Sequence, residues 1–154
     1  MQRIIIMRHG DAVFIGEDRV LSDLGTDEVT RSATLLCRDF RIDRIFSSAK
    51  TRACQTAAIV KDIAGLDGEN EIIDELAPSG DIDYVCSYIE AIVKPNETFL
   101  LVSHLPLVAY LSEKMLCRSS IVPDFVTASA FVLQKEEGRY LPLAFYTPAG
   151  VKKY

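Results

Sequence analysis

Positive charge is not in excess in this sequence: 17 Lys and Arg stand against 22 Asp and Glu, a formal net charge of −5. A nucleic-acid backbone or an anionic membrane surface would meet no basic footprint, and neither is expected as a partner. An anionic small ligand would need a local cationic pocket, set against the sign of the whole surface. The four cysteines, Cys37, Cys54, Cys86 and Cys117, include no C-x-x-C pair. Each falls in a stretch that reads helical and amphipathic, so all four are expected as small buried side chains in a reducing compartment. Long apolar runs are missing too. "IIIM" is far too short for a leader, and "FLLVSHLPLVAYL" is broken by Ser103, His104 and Pro106 and is too short to span a bilayer. A soluble, cytoplasmic protein is expected.

Other absences narrow the chemistry. No G-x-x-x-x-G-K-[ST] or G-x-G-x-x-G occurs, so nucleotide-binding loops are unsupported. No cysteine is followed six positions later by arginine, which removes the cysteine-based phosphatase loop. With only two histidines, no H-E-x-x-H and no cysteine cluster, no metal site is expected and no cofactor is implied. A magnesium-binding receiver domain would want acidic residues at the end of its first strand. Arg8 and His9 stand there instead.

What the chain does have is alternation. Its 154 residues, 49% apolar and 25% charged, suit one globular domain that buries roughly two-thirds of its unfolded surface. Short apolar runs ("RIIIM", "IDRIFSS", "TFLLVS") alternate with helical patterns, which predicts an α/β protein with a largely parallel sheet. Helices are expected over Ser22–Phe40, Lys50–Ala64 (closed by Gly65), Pro78–Pro95 and Leu105–Leu116. "EIIDEL" reads as a possible edge strand, and "TASAFVLQ" and "RYLPLAFYT" flank "KEEG" as a hairpin. One domain over residues 1–154 is expected.

Two of the strands deliver polar chemistry at their ends. "IIIM" runs into Arg8-His9-Gly10, and "FLLVS" into His104. In open α/β sheets ligands sit beyond the carboxyl ends of strands, so both histidines are expected at that crevice. A third strand end carries "SSAKTRACQTA", which puts Arg52 in the first turn of a helix, where backbone N–H groups and the dipole already favour an anion. Two guanidinium forks and two imidazoles converging on one point suit the oxygens of a phosphoryl group.

These stretches, together with "DRVLSDLG", "ELAPSGD" and "VSHLPLVAYL", resemble the histidine phosphatase superfamily, the phosphoglycerate mutase-like fold, and within it the small SixA-type phosphohistidine phosphatases. The resemblance runs along nearly the whole chain. It implies a three-layer sandwich, a mostly parallel central sheet flanked by helices. It also implies a metal-independent, two-step phosphoryl transfer. His9 would be the nucleophile, with Arg8, Arg52 and His104 clamping the phosphoryl oxygens and Arg19 a further candidate to line the pocket. Cationic neighbours should lower the His9 pKa and keep its ring neutral near pH 7.

Superfamily members acting on phosphate esters usually supply a carboxylic acid for the leaving alkoxide. Glu75, Asp81 and Asp83 are candidates by position, with Glu75 foremost; Asp81 and Asp83 read better as helix-start capping and solvated residues. A leaving imidazole, with a conjugate-acid pKa of about 6.5, needs less help than an alkoxide. The expected substrate is therefore a phosphohistidine on a protein, of the phosphotransfer-domain type. A small phosphate ester is the alternative, and a non-catalytic phosphate-binding module the third reading. No insertion is long enough to fold a lid, so an open pocket on a monomer is expected.

Overall fold

The computed structural model describes residues 1–117 and 121–154. Its chain order is β1 (Arg3–Arg8), β2 (Ala12–Ile15), β3 (Asp18–Leu21), α1 (Asp23–Asp39), β4 (Arg44–Ser47) and α2 (Thr51–Ala64). There follow β5 (Glu71–Ile72), a 3-10 turn (Asp74–Leu76), α3 (Ile82–Ile92), β6 (Thr98–Ser103), α4 (Leu107–Met115), β7 (Ala130–Glu136), β8 (Arg139–Thr147) and β9 (Gly150–Lys153). Seven strands form one sheet in the order β5-β4-β6-β1-β7-β8-β9, and β2 and β3 form a separate ribbon. β5, β4, β6 and β1 run parallel, and β7, β8 and β9 continue the sheet antiparallel.

Burial on both faces explains why the first strand is an unbroken apolar run. Ile4, Ile5, Ile6 and Met7 are all fully buried. Ile4 and Ile6 pack with Val85, Ile89, Val108 and Leu111 of α3 and α4. Ile5 and Met7 pack on the other side with Val29, Ala33, Leu36, Ala57 and Val60 of α1 and α2. The result is the three-layer sandwich expected, with helices on both faces.

The expected helices form, trimmed by their caps. Ser22 and Phe40 flank α1, and Ser22 Oγ accepts the Gly25 N–H. Gly65, at φ +72°, closes α2 in left-handed backbone. Asp81 caps α3 by accepting the Tyr84 N–H at 3.1 Å. "EIIDEL" shortens to the two-residue edge strand β5 and the 3-10 turn. "KEEG" turns β7 into β8 through Glu137 and Gly138, both at positive φ, as two-residue hairpins favour. The cysteines correct the expectation. Cys37, Cys54 and Cys86 are only half-buried, and Cys117 is exposed and lies beyond the end of α4. All four are unpaired thiols.

β1 and β6 are neighbours, yet α1 leaves β1 for one face of the sheet and α4 leaves β6 for the other. Such a divergence opens a crevice at the carboxyl edge. The loop from β1 into this crevice is clamped against the start of α1. Ser22 N–H donates to the Asp11 carbonyl (3.0 Å), and Ser22 Oγ donates to Asp11 Oδ2 (2.6 Å). The approach is so close that a Cβ on Gly25 would stand 2.0 Å from the Asp11 carbonyl oxygen. Gly25→Ala is therefore expected to destabilise the fold by about 1–3 kcal/mol, the range for overpacking a filled site, as measured by urea denaturation.

Candidate active site

Sheet register builds the site. Arg8 is paired with Ser103 in the last rung between β1 and β6, so the next residues, His9 and His104, leave the sheet side by side. The His9 N–H donates to the Ser103 carbonyl (3.1 Å), which holds the step beyond the rung. Ser47 is paired with Val102 on the other side of β6, and the Ser48 N–H donates to the Val102 carbonyl (3.2 Å). The chain then turns into α2, whose first residue, Thr51, follows Lys50 with no side-chain cap. Arg52 is thereby aimed back over the strand ends.

The two imidazoles are nearly enclosed, His9 at 4% and His104 at 2% exposure, with ring centroids 4.9 Å apart. His9 Nδ1–H donates to the Gly10 carbonyl at 2.7 Å, a bond that fixes the tautomer, since a carbonyl can only accept. Its Nε2 is left with the lone pair, and Arg52 Nε–H points at it from 3.3 Å. His104 Nε2 lies 2.7 Å from Ser48 Oγ. That hydroxyl also accepts the Lys50 N–H (3.3 Å). His104 Nδ1 is buried with no partner among the described residues.

The guanidiniums close the ring. Arg8 Nη1–H donates to the Phe125 carbonyl (2.9 Å), while its buried Nε–H has no partner among the described residues. Arg19 comes in on β3, lies over the Phe14 ring with its central carbon 5.5 Å from the centroid, and keeps a buried Nε–H with no partner among the described residues. Its charge lowers the pKa of Arg8, His9, Arg52 and His104 alike. Arg8, His9, Arg52, His104 and Arg19 are therefore brought together. The buried Nε–H groups of Arg8 and Arg19, without partners among the described residues, are donors available to an anion's oxygens.

Burial is the first cause that pulls the His9 pKa down to about 4; the Gly10 carbonyl opposes it, and Arg52, Arg8 and Arg19 add to it. Burial also comes first for His104, held at about 3, followed by His9, Arg52, Lys50 and Arg19. Both rings are neutral at pH 7. The lone pair on His9 Nε2 is thus available, inside a pocket of positive charge.

The carboxylates stand apart. Glu75 lies in the 3-10 turn whose Leu76 carbonyl accepts the Ser103 Oγ–H (2.5 Å), but no hydrogen bond or ion pair joins it to the cluster. Asp81 is spent on its helix cap, and Asp83 pairs with Lys114 at 3.2 Å. Four contributors escaped sequence reasoning, the Phe125 carbonyl among them. Ser48 orients His104. Thr56 Oγ1 accepts the Gly10 N–H (3.2 Å), and Glu28 accepts the N–H of Asp11 and the Thr127 hydroxyl while acting on Arg8. Ser48 and Thr56 sit within "SSAKTRACQTA", so their proximity to Arg52 was a usable signal. The Phe125 carbonyl offers none, because a backbone group carries no residue type.

The model of the histidine phosphatase superfamily (branch 1) matches residues 4–77. The phosphohistidine phosphatase SixA of Escherichia coli (strain K12) is 36% identical over 142 residues, 88% of each chain. The chain belongs to the histidine phosphatase superfamily. Among solved structures of this superfamily, the protein histidine phosphatase SixA complexed with tungstate superposes with a TM-score of 0.85 at 33% identity, covering 96% of this chain and 97% of that one. A SixA protein from Agrobacterium tumefaciens gives 0.75 at 26%, covering 93% and 96%.

With only two histidines, the site can be titrated cleanly by NMR. Both rings are expected to stay neutral down to midpoints of about 4 and about 3, and inorganic phosphate should raise both, because a bound anion favours imidazolium. Unfolded, both rings titrate near 6.5. The unfolded state therefore binds more protons below that value, and the stability these rings contribute is lost as pH falls from 6.5 towards 3. Urea denaturation at several pH values should show the loss, and His104→Gln should make it shallower.

Proposed function

We propose that this protein is a metal-independent phosphohistidine phosphatase that works through a phospho-His9 intermediate, in a single domain over residues 1–154. The observation that carries the reading is the locked tautomer of His9. The Gly10 carbonyl holds Nδ1–H, so the only lone pair in the ring faces the guanidiniums.

A substrate phosphoryl group enters by taking over the Arg52 N–H that points at Nε2. Its oxygens are held by Arg8, Arg52, Arg19 and His104, the groups best placed where transition-state charge spreads. The Nε2 lone pair then forms the bond to phosphorus as the substrate's own N–P bond breaks. The departing imidazole nitrogen takes a proton from solvent. In the second step water forms a P–O bond, the His9 N–P bond breaks, the water's proton leaves to solvent and inorganic phosphate departs. His9 is regenerated as the same tautomer.

A phosphohistidine fits better than an alcohol ester for a chemical reason. An alkoxide needs a positioned acid, and Asp81 and Asp83 are engaged elsewhere while Glu75 is not joined to the cluster. The relatives support the same substrate, since the Escherichia coli protein is a phosphohistidine phosphatase and its structural counterpart holds tungstate, a tetrahedral oxyanion. A phosphorylated phosphotransfer domain is thus the expected partner. No helix among the described residues is long and apolar enough to cross a membrane, and four unpaired thiols suit the reducing cytoplasm.

Phosphate release from a phosphorylated phosphotransfer domain should exceed release from any of a panel of small phosphate esters; faster turnover of the esters would overturn the substrate. His9→Ala should lower turnover by at least about 10³-fold with an unchanged circular dichroism spectrum, the scale of losing a nucleophile. Retained turnover would remove the intermediate. Arg19→Ala should keep the intermediate detectable but raise KM for the phosphoprotein by about tenfold, the scale of one charge-assisted contact.

A further inference from the structure

The stretch "FVTAS", residues 125–129, leads into β7 and lies along the Arg8-His9 step like a strap. Three hydrogen bonds place it. The Arg8 N–H donates to the Ser129 carbonyl (2.9 Å), the Ala128 N–H donates to the His9 carbonyl (3.0 Å), and Arg8 Nη1–H donates to the Phe125 carbonyl (2.9 Å). The strap therefore sets both the backbone and the guanidinium of Arg8.

Its path is not a relaxed one. Ala128 has φ +60°, left-handed backbone that an alanine rarely adopts and that lasts only where its surroundings fix it. Packing secures the two ends. The Phe125 ring stands edge-on to Phe131 and Phe145, with centroids 6.2 and 5.7 Å away, and Ala128 and Ser129 are fully buried. Val126 between them is exposed, so apolar packing does not hold the middle of the strap.

A carboxylate does. Among the described residues the strap makes one side-chain hydrogen bond to another element, from the Thr127 hydroxyl to Glu28 of α1, with 2.9 Å to each carboxylate oxygen. Glu28 Oε1 also accepts the Asp11 N–H (3.0 Å), two residues past His9. One side chain thus joins α1, the chain leaving His9 and the strap that holds Arg8. Glu28 bears on Arg8 by charge as well, opposing the burial that is the first cause lowering the arginine's pKa. Its oxygens, however, are turned to the amide and the hydroxyl, which makes it a hydrogen-bonding latch before it is a counter-charge.

We propose that Glu28 is a positioning residue for Arg8. By binding Thr127 and the Asp11 N–H it fixes residues 125–129, and through the Phe125 carbonyl it sets the guanidinium that meets the phosphoryl oxygens. This rests on the phosphatase reading above and names what holds one of its clamps.

The test reads binding of inorganic phosphate by calorimetry, which needs no turnover, on variants shown by circular dichroism to be folded. Glu28→Ala should weaken phosphate about tenfold, the scale of one misdirected hydrogen bond from a charged group. Thr127→Val keeps a β-branched side chain, removes only the hydroxyl, and should reproduce most of that loss. The double variant should lose no more than Glu28→Ala alone, because the two residues act as a unit. Should Glu28→Ala not fold, Thr127→Val decides. Glu28→Gln keeps an acceptor for the Asp11 N–H and offers an N–H to the Thr127 oxygen, so it should stay within about threefold of the wild type, the scale of a charge without direct contact. By NMR, phosphate should shift the Nε–H resonances of both Arg8 and Arg19, and Thr127→Val should diminish the Arg8 response alone. Unchanged affinity in Thr127→Val, additive losses in the double variant, equal losses in Glu28→Gln and Glu28→Ala, or equal fading of both arginine responses would each overturn the proposal. A wild type that shows the expected pattern but releases no phosphate from a phosphorylated phosphotransfer domain would overturn the phosphatase reading and leave the latch standing. One that binds no phosphate would overturn both.

Discussion

The parallel register of β1 against β6 is the constraint on which the site depends. It sets Arg8 opposite Ser103, and everything that follows is one residue of chain on either side. A slip of one position would send His9 to the opposite face of the sheet from His104. Burial prevents that slip, because Ile4 and Ile6 fill one helical layer while Ile5 and Met7 fill the other. The apolar core and the imidazole pair are thus one arrangement seen from two ends. Gly10 and Gly25 belong to it as well, since both positions lack room for a Cβ beside α1 and its loop.

Collecting cations at a partly buried point is unfavourable, and the site resolves the conflict in two ways. The histidines yield their charge, held neutral to about 4 and about 3. The arginines keep theirs but are fixed by neutral or distant partners. Arg8 rests on a carbonyl, Arg19 on an aromatic face, and Glu28 acts on Arg8 while its oxygens bind the Asp11 N–H and the Thr127 hydroxyl. A carboxylate in direct contact with the guanidiniums would neutralise them and compete with a phosphoryl anion. Keeping the acid one step back preserves the attraction. It also explains how a chain of net charge −5 can offer an anion a cationic pocket.

Much of this was legible in the sequence, for identifiable reasons. Strands buried on both faces are read from unbroken apolar runs, and strand ends in such sheets are where ligands collect, so Arg8, His9 and His104 announced their place. Arg52 followed from its position in a first helical turn. The β2–β3 ribbon did not, because "AVFI" exposes three consecutive apolar residues and lacks the alternation of a half-buried strand. β9 is four residues long, too short to rise above background. Ser48 and the Phe125 carbonyl are second partners, set by where chain segments meet rather than by local pattern. Cys117 looked helical by its neighbours, yet it sits past the end of α4 at φ +53°, where side chains face solvent.

The ribbon mounts one guanidinium of the pocket differently from the others. Two strands alone are marginally stable in water, and this pair is held by a few contacts to α2 while exposing an apolar tip. Arg19 is therefore the most weakly mounted of the three guanidiniums, whereas Arg8 lies on a central strand and Arg52 on a 14-residue helix.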